Sequence, residues 1–140
     1  MKIMVSACLL GQNCKYNGGN NFSERLAEFL SDKEVVPVCP EVMGGLPTPR
    51  IPCEIKDGVV VNKAGDVCDI EFRRGAELAL KTAREENIDI AILQSRSPSC
   101  GIGQIYDGTF SRTLKEGNGI FAELLLRNGF RAIDVANLGD

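Results

Sequence analysis

Three short, almost uninterrupted apolar runs constrain this chain most: Lys2 to Leu9 (KIMVSACL), Val35 to Val38 (VVPV) and Asp89 to Leu93 (DIAIL). The first reads as a strand buried on both faces, the third as a buried strand and the second simply as a strand, the pattern of a parallel sheet covered by helices. The intervening segments supply those helices. Phe22, Leu26, Phe29 and Leu30 share one face of a short helix ending near Ser31, with Asn21 as its cap. Asp69 is placed to cap a longer helix whose stripe is Phe72, Ala76, Ala79, Leu80 and Ala83, and Asn87 stops it. Ile120, Phe121, Leu124 and Leu125 form the face of a last helix that ends at Asn128-Gly129, before a final strand at Arg131 to Val135.

Two segments break this rhythm. Glu54 to Val67 alternates around Asp57-Gly58 and Ala64-Gly65, which predicts a β-hairpin. Pro40 to Pro52 holds four of the six prolines, and Gln94 to Gly119 holds five glycines, so both are expected to be irregular loops. The order β-α-β-hairpin-α-β-α-β gives an α/β fold: a small, mostly parallel, Rossmann-like sheet flanked by helices, with an inserted β-hairpin. At 140 residues, residues 1–140 are expected to form one domain, since domains run to roughly 100–200 residues.

Composition narrows the chemistry. The chain has no histidine, which removes Ser-His-Asp triads, Cys-His dyads and histidine metal shells. Acid–base work falls to carboxylates, Lys, Tyr, Ser or thiols, and metal binding to Cys or carboxylate. Sixteen basic against nineteen acidic residues give a net charge of −3 with no basic run, so neither nucleic acid nor an anionic membrane is expected as partner. No apolar run approaches the roughly 20 residues of a membrane span. Val5-Ser6-Ala7-Cys8 mimics a lipoprotein cleavage site, but only seven residues precede the cysteine, too few for a signal peptide. A cytoplasmic location with reduced thiols is expected.

The six cysteines are Cys8, Cys14, Cys39, Cys53, Cys68 and Cys100, with no CxxC pair. Cys8 falls at the end of the first strand, Cys39 directly after the second, and Cys100 in the loop after the third. Open parallel sheets bind ligands outside the carboxyl ends of their strands, so these three thiols are expected to converge. The other three follow no such rule. Cysteine as core filler is the alternative, but the neighbouring residues favour a site. Cys39-Pro40-Glu41 sets a carboxylate two positions from a thiol, on a stiff loop that runs to Arg50, and Ser95-Arg96-Ser97-Pro98-Ser99-Cys100-Gly101 joins hydroxyls, a cation and a thiol. Gly101-Ile102-Gly103 lacks the full phosphate-loop pattern and reads as a hinge or close-packing element.

Five ordered motifs carry a resemblance. They are Ser6-Ala7-Cys8-Leu9-Leu10-Gly11, Val36-Pro37-Val38-Cys39-Pro40-Glu41, Gly44-Gly45-Leu46 with Pro49-Arg50, Arg96-Ser97-Pro98-Ser99-Cys100-Gly101, and Ile105-Tyr106-Asp107-Gly108-Thr109-Phe110. Across essentially the whole chain they resemble the bacterial thiouracil desulfidases, enzymes that remove sulfur from thiolated uracil. The resemblance implies a [4Fe-4S] cluster held by Cys8, Cys39 and Cys100, with catalytic roles for Glu41 and Ser97. Arg50, Arg96, Ser99 and Gly101 become candidates for binding a thiolated nucleobase. The chain departs at Gln94, where the family more often has Lys, and at Cys68, where Thr is common. Oligomeric state is left open. Two other readings use the same thiols: a non-catalytic iron–sulfur or metal sensor, and a zinc hydrolase with three thiolate ligands.

Overall fold

The computed structural model describes residues 1–138. Four parallel strands form the central sheet in the order β2-β1-β5-β8: β1 (Lys2–Ser6), β2 (Glu34–Val38), β5 (Ile90–Leu93) and β8 (Ala132–Asp134). Lys2 to Ser6 pair with Glu34 to Val38 on one side, and Ile3 to Val5 pair with Ile90 to Ile92 on the other. The chain leaves β1 toward β2 and later returns on the opposite side as β5, so the sheet changes direction at β1.

Alternation along β1 explains why its run is apolar throughout. Ile3 and Val5 point to one face, where they meet Leu26 and Leu30 of α1 (Glu24–Leu30). Met4 points to the other, into a cluster with Ala76, Ala79 and Leu80 of α3 (Asp69–Glu85) and Phe121 and Leu125 of α4 (Ile120–Arg127). Both faces of the sheet are therefore covered, as the periodicity predicts. The hairpin β3 (Cys53–Lys56) and β4 (Val59–Asn62) turns at Asp57-Gly58 and packs with Phe72 in a third cluster.

Local details depart from the sequence reading. The first strand stops at Ser6, and Cys8 lies in a 3-10 turn spanning Ala7–Leu10. Ser23, not Asn21, caps α1, its hydroxyl accepting the Leu26 N–H at 3.2 Å. Phe22 and Phe29, expected on the buried face, are exposed. Asp69 is the first residue of α3 rather than its cap, because its carboxylate is taken by the Val60 N–H and by Arg73. The proline-rich segment opens with a short helix, α2 (Pro40–Met43), whose first position tolerates proline since that N–H has no helical partner. The glycine-rich stretch holds an antiparallel pair, β6 (Gln104–Tyr106) and β7 (Leu114–Glu116). Its strands are three residues each, too short for alternation to register.

One contact positions the second strand's loop. Helix α2 meets α3 backbone to backbone: a Cβ on Gly44 would sit 1.9 Å from the Glu71 carbonyl oxygen, and one on Gly75 would sit 1.8 Å from that of Pro40. Only glycine permits this approach. Among the described residues, no helix is long and apolar enough to cross a membrane.

Candidate active site

Because β1, β2 and β5 run parallel, their carboxyl ends share one edge. There the segments after them enclose a pocket of about 480 Å³, with Cys8, Cys39 and Cys100 in its wall. All six cysteines are free thiols. Cys100 is buried and its thiol is pushed up to about 12, first by desolvation; hydrogen bonds from Ser6 and Ser99 oppose this, and the charges of Glu41 and Cys8 add to it. Burial also raises Cys8, against a hydrogen bond from Asn21 and with repulsion from Cys39. Cys8 and Cys100 thus each feel another thiol across the pocket.

Local chain geometry sets each one. The 3-10 turn lifts Cys8 off the end of β1, where the Asn21 amide donates to its sulfur at 3.8 Å. Asn21 stands two residues before the Ser23 cap, too early in the chain to cap the helix itself. Cys39 sits in extended conformation between β2 and α2, its thiol 3.9 Å from the Cys14 carbonyl oxygen. Cys100 follows a tight serine turn, in which the Ser97 hydroxyl accepts the N–H groups of Ser99 and Cys100, each at 3.1 Å. Cys14, outside the expected set, lines the same pocket beside Cys39, and its thiol is pushed up to about 12 by burial first and then by Cys39.

Glu41 stands on the first turn of α2, and its two oxygens have different partners. Oε1 accepts from Arg50, with Nε and Nη2 both at 3.1 Å. Oε2 accepts from the Ser99 hydroxyl at 2.8 Å. The Ser99 and Ser97 oxygens lie 3.0 Å apart. Ser97 therefore reaches Glu41 only through Ser99, forming a three-member chain of carboxylate and hydroxyls. Ser99 is fully buried, and its hydroxyl also lies 3.6 Å from the Cys100 sulfur.

The remaining candidates divide. The Arg50 side chain is 6% exposed and spends its donors on Glu41, the Cys14 and Pro47 carbonyls and Thr48, so it is a brace rather than a free substrate cation. Arg96 lies at the rim in a left-handed conformation, with Lys63 and Arg112 nearby on other loops. Gly101 does not line the pocket. It is packed, and an added Cβ would meet the Ser97 carbonyl oxygen at 2.8 Å.

The sequence pattern gives Ser6 no role at the site and reads Asn21 only as a helix cap, yet these two side chains touch two of the three thiols. Ser6 is buried at the end of β1, accepts the Gln94 N–H at 3.0 Å and donates to Cys100. The available signal was a hydroxyl inside an otherwise apolar strand. Asn21 had none, being one of several asparagines in a turn.

The donor set is three thiolates, soft ligands suited to an iron–sulfur cluster. Cluster ligands bind separate irons and can stand further apart, and the three thiols facing one roomy pocket suit that.

Known proteins resemble this chain along nearly its whole length. A model of the 2-thiouracil desulfurase family matches residues 3–136. The uncharacterized protein YbbK of Bacillus subtilis (strain 168) is 39% identical over 148 aligned positions, covering 99% of this chain and 98% of the relative. The solved structure of TudS, a [4Fe-4S]-dependent thiouracil desulfidase, is similar with a TM-score of 0.92 at 42% identity, over 98% of this chain and 92% of that one. With its thiols at the carboxyl edge of a parallel sheet and this likeness along nearly its whole length, the chain belongs to the 2-thiouracil desulfurase family.

Proposed function

We propose that this protein removes sulfur from a thiolated pyrimidine by a hydrolytic, non-redox route, using a [4Fe-4S] cluster held by Cys8, Cys39 and Cys100. The observation that carries the reading is the joint placement of those three thiols and the braced Glu41 carboxylate on one pocket. Its volume of about 480 Å³ lies within the range of small-ligand sites. When bound, the cluster supplies an iron without a protein ligand, a soft acid suited to thiocarbonyl sulfur.

The chain's own residues supply the proton handling. Arg50 pins Oε1, so the carboxylate cannot rotate, and Oε2 stays aimed at the serine pair. Glu41 takes a proton from the attacking water, and the Ser99–Ser97 hydroxyls return it toward the pocket to the departing sulfide, so that thiocarbonyl and water give carbonyl and hydrogen sulfide with no change of oxidation state. With no histidine in the chain, this carboxylate–hydroxyl chain is the acid–base device at the site. A cluster that only sensed iron or redox state would have no use for it. The thiols work in a reducing, cytoplasmic compartment.

The test is anaerobic purification with iron and sulfide analysis, followed by turnover of thiouracil to uracil and sulfide. Four irons per chain with turnover support the proposal. Stoichiometric zinc, or a loaded cluster without desulfuration, overturns it.

A further inference from the structure

We infer that Glu54 is a positioning residue that holds Phe110 as a stacking wall for the substrate's ring, an inference that rests on the desulfurase reading above. Two carboxylates line the pocket, and only Glu41 is accounted for. Glu54, on β3, is 9% exposed, and no Lys or Arg pairs with it among the described residues. A buried carboxylate without a cation is unfavourable unless hydrogen bonds compensate. Here they do: Oε1 accepts the N–H of Gly108 at 3.0 Å and that of Phe110 at 3.1 Å. Charge-assisted bonds of this kind are stronger than neutral ones.

What the carboxylate holds is the loop between β6 and β7. Gly108 is pressed on β3, where a Cβ would meet that of Lys56 at 2.8 Å. Asp107 ties the next residue, accepting from the Thr109 N–H and hydroxyl at 3.0 and 2.6 Å. Phe110 and Arg112 then adopt positive φ of 56° and 62°, a left-handed conformation that non-glycine residues avoid. Such conformations persist only where surrounding contacts impose them, and they gather at functional sites. Phe110 is half-buried and lines the pocket, though its backbone is held by a residue on another hairpin. A phenyl ring on a pocket wall suits a flat heteroaromatic ligand, because stacking tolerates substitution on the ring.

Stacking holds substrate and transition state alike, so its loss raises KM and spares kcat. In the cluster-loaded protein, Phe110→Ala raises KM for thiouracil and Kd for uracil about 10-fold or more, with kcat and the cluster absorption band unchanged. Phe110→Tyr keeps both constants near wild type. Glu54→Ala reproduces the shift, and the double variant E54A/F110A is no worse than F110A alone, since Glu54 acts through Phe110. Glu54→Gln keeps an oxygen acceptor and retains most of the affinity, which separates positioning from misfolding if Glu54→Ala does not fold. Unaltered KM and Kd in Phe110→Ala, or full additivity in the double variant, overturns the inference while leaving the desulfurase reading standing. Absence of thiouracil turnover by the wild type overturns both.

Discussion

The Ser99 hydroxyl donates to Oε2 of Glu41 at 2.8 Å across a separation of 58 residues, joining the loop after β5 to the helix after β2. Ser97, whose oxygen lies 3.0 Å beyond, is thereby the outer member of the chain. Positioned proton transfer contributes about 10²–10⁴-fold to rate. Glu41→Gln is expected to lower kcat at least about 100-fold with the cluster spectrum unchanged. Ser99→Ala should lower it by a similar factor, since it isolates Ser97 from the carboxylate. The check is kcat against pH at matched iron content, where normal turnover by Ser99→Ala would show that the proton takes another route.

Cluster binding separates the thiols into two groups. Cys8→Ser, Cys39→Ser and Cys100→Ser are each expected to lose most iron and acid-labile sulfide, because each removes one of three ligands. Cys53→Ser and Cys68→Ser should retain it, since the Cys53 thiol is engaged in a hydrogen bond donated to the Cys68 sulfur, between β3 and the start of α3. Cys14→Ser should also retain most of it, despite lying beside Cys39. Anaerobic reconstitution with iron counts per chain reads this directly.

The glycine contact between α2 and α3 carries Cys39 and Glu41 with it. In Gly75→Ala the new methyl group would fall 1.8 Å from the Pro40 carbonyl oxygen, so the helices must part. Overpacking of this kind costs about 1–3 kcal/mol. The expected outcome is a lower Tm for the metal-free protein together with reduced cluster loading, as the Cys39 ligand moves away from the other two. Thermal unfolding and iron content measured on the same preparation test the link.

Stability of the metal-free protein should fall in alkali. Burial first, then Cys68, pushes the Cys53 thiol up to about 12 from 9.0. The folded chain then keeps a proton that the unfolded chain has lost, so stability decreases as pH rises through that interval and is untouched below it. Urea titrations at about pH 8 and about pH 10 should show a larger loss for wild type than for Cys53→Ala. Equal losses would place the sensitivity in other thiols.

The sequence by itself determined the scaffold and the edge on which the site lies. Apolar runs at β1, β2 and β5 and the stripe of α3 are local periodicities, and they dictate which face of each element is buried. Parallel strands then share an edge, so cysteines just past their ends were legible as neighbours. Boundaries and caps were less so: Ser6 ends β1 early, and Ser23 caps the helix while Asn21 donates to Cys8. Only the tertiary structure decided the site's wiring. Arg50 rather than solvent faces Glu41, Ser99 stands between Ser97 and that carboxylate, Gly44 meets the backbone of α3, and Glu54 holds the Phe110 loop. Each of these is a contact between segments distant in sequence, whose distances and angles depend on how loops cross at one sheet edge. Periodicity reports which way a residue faces; it carries no information on which residue from another segment it will meet there.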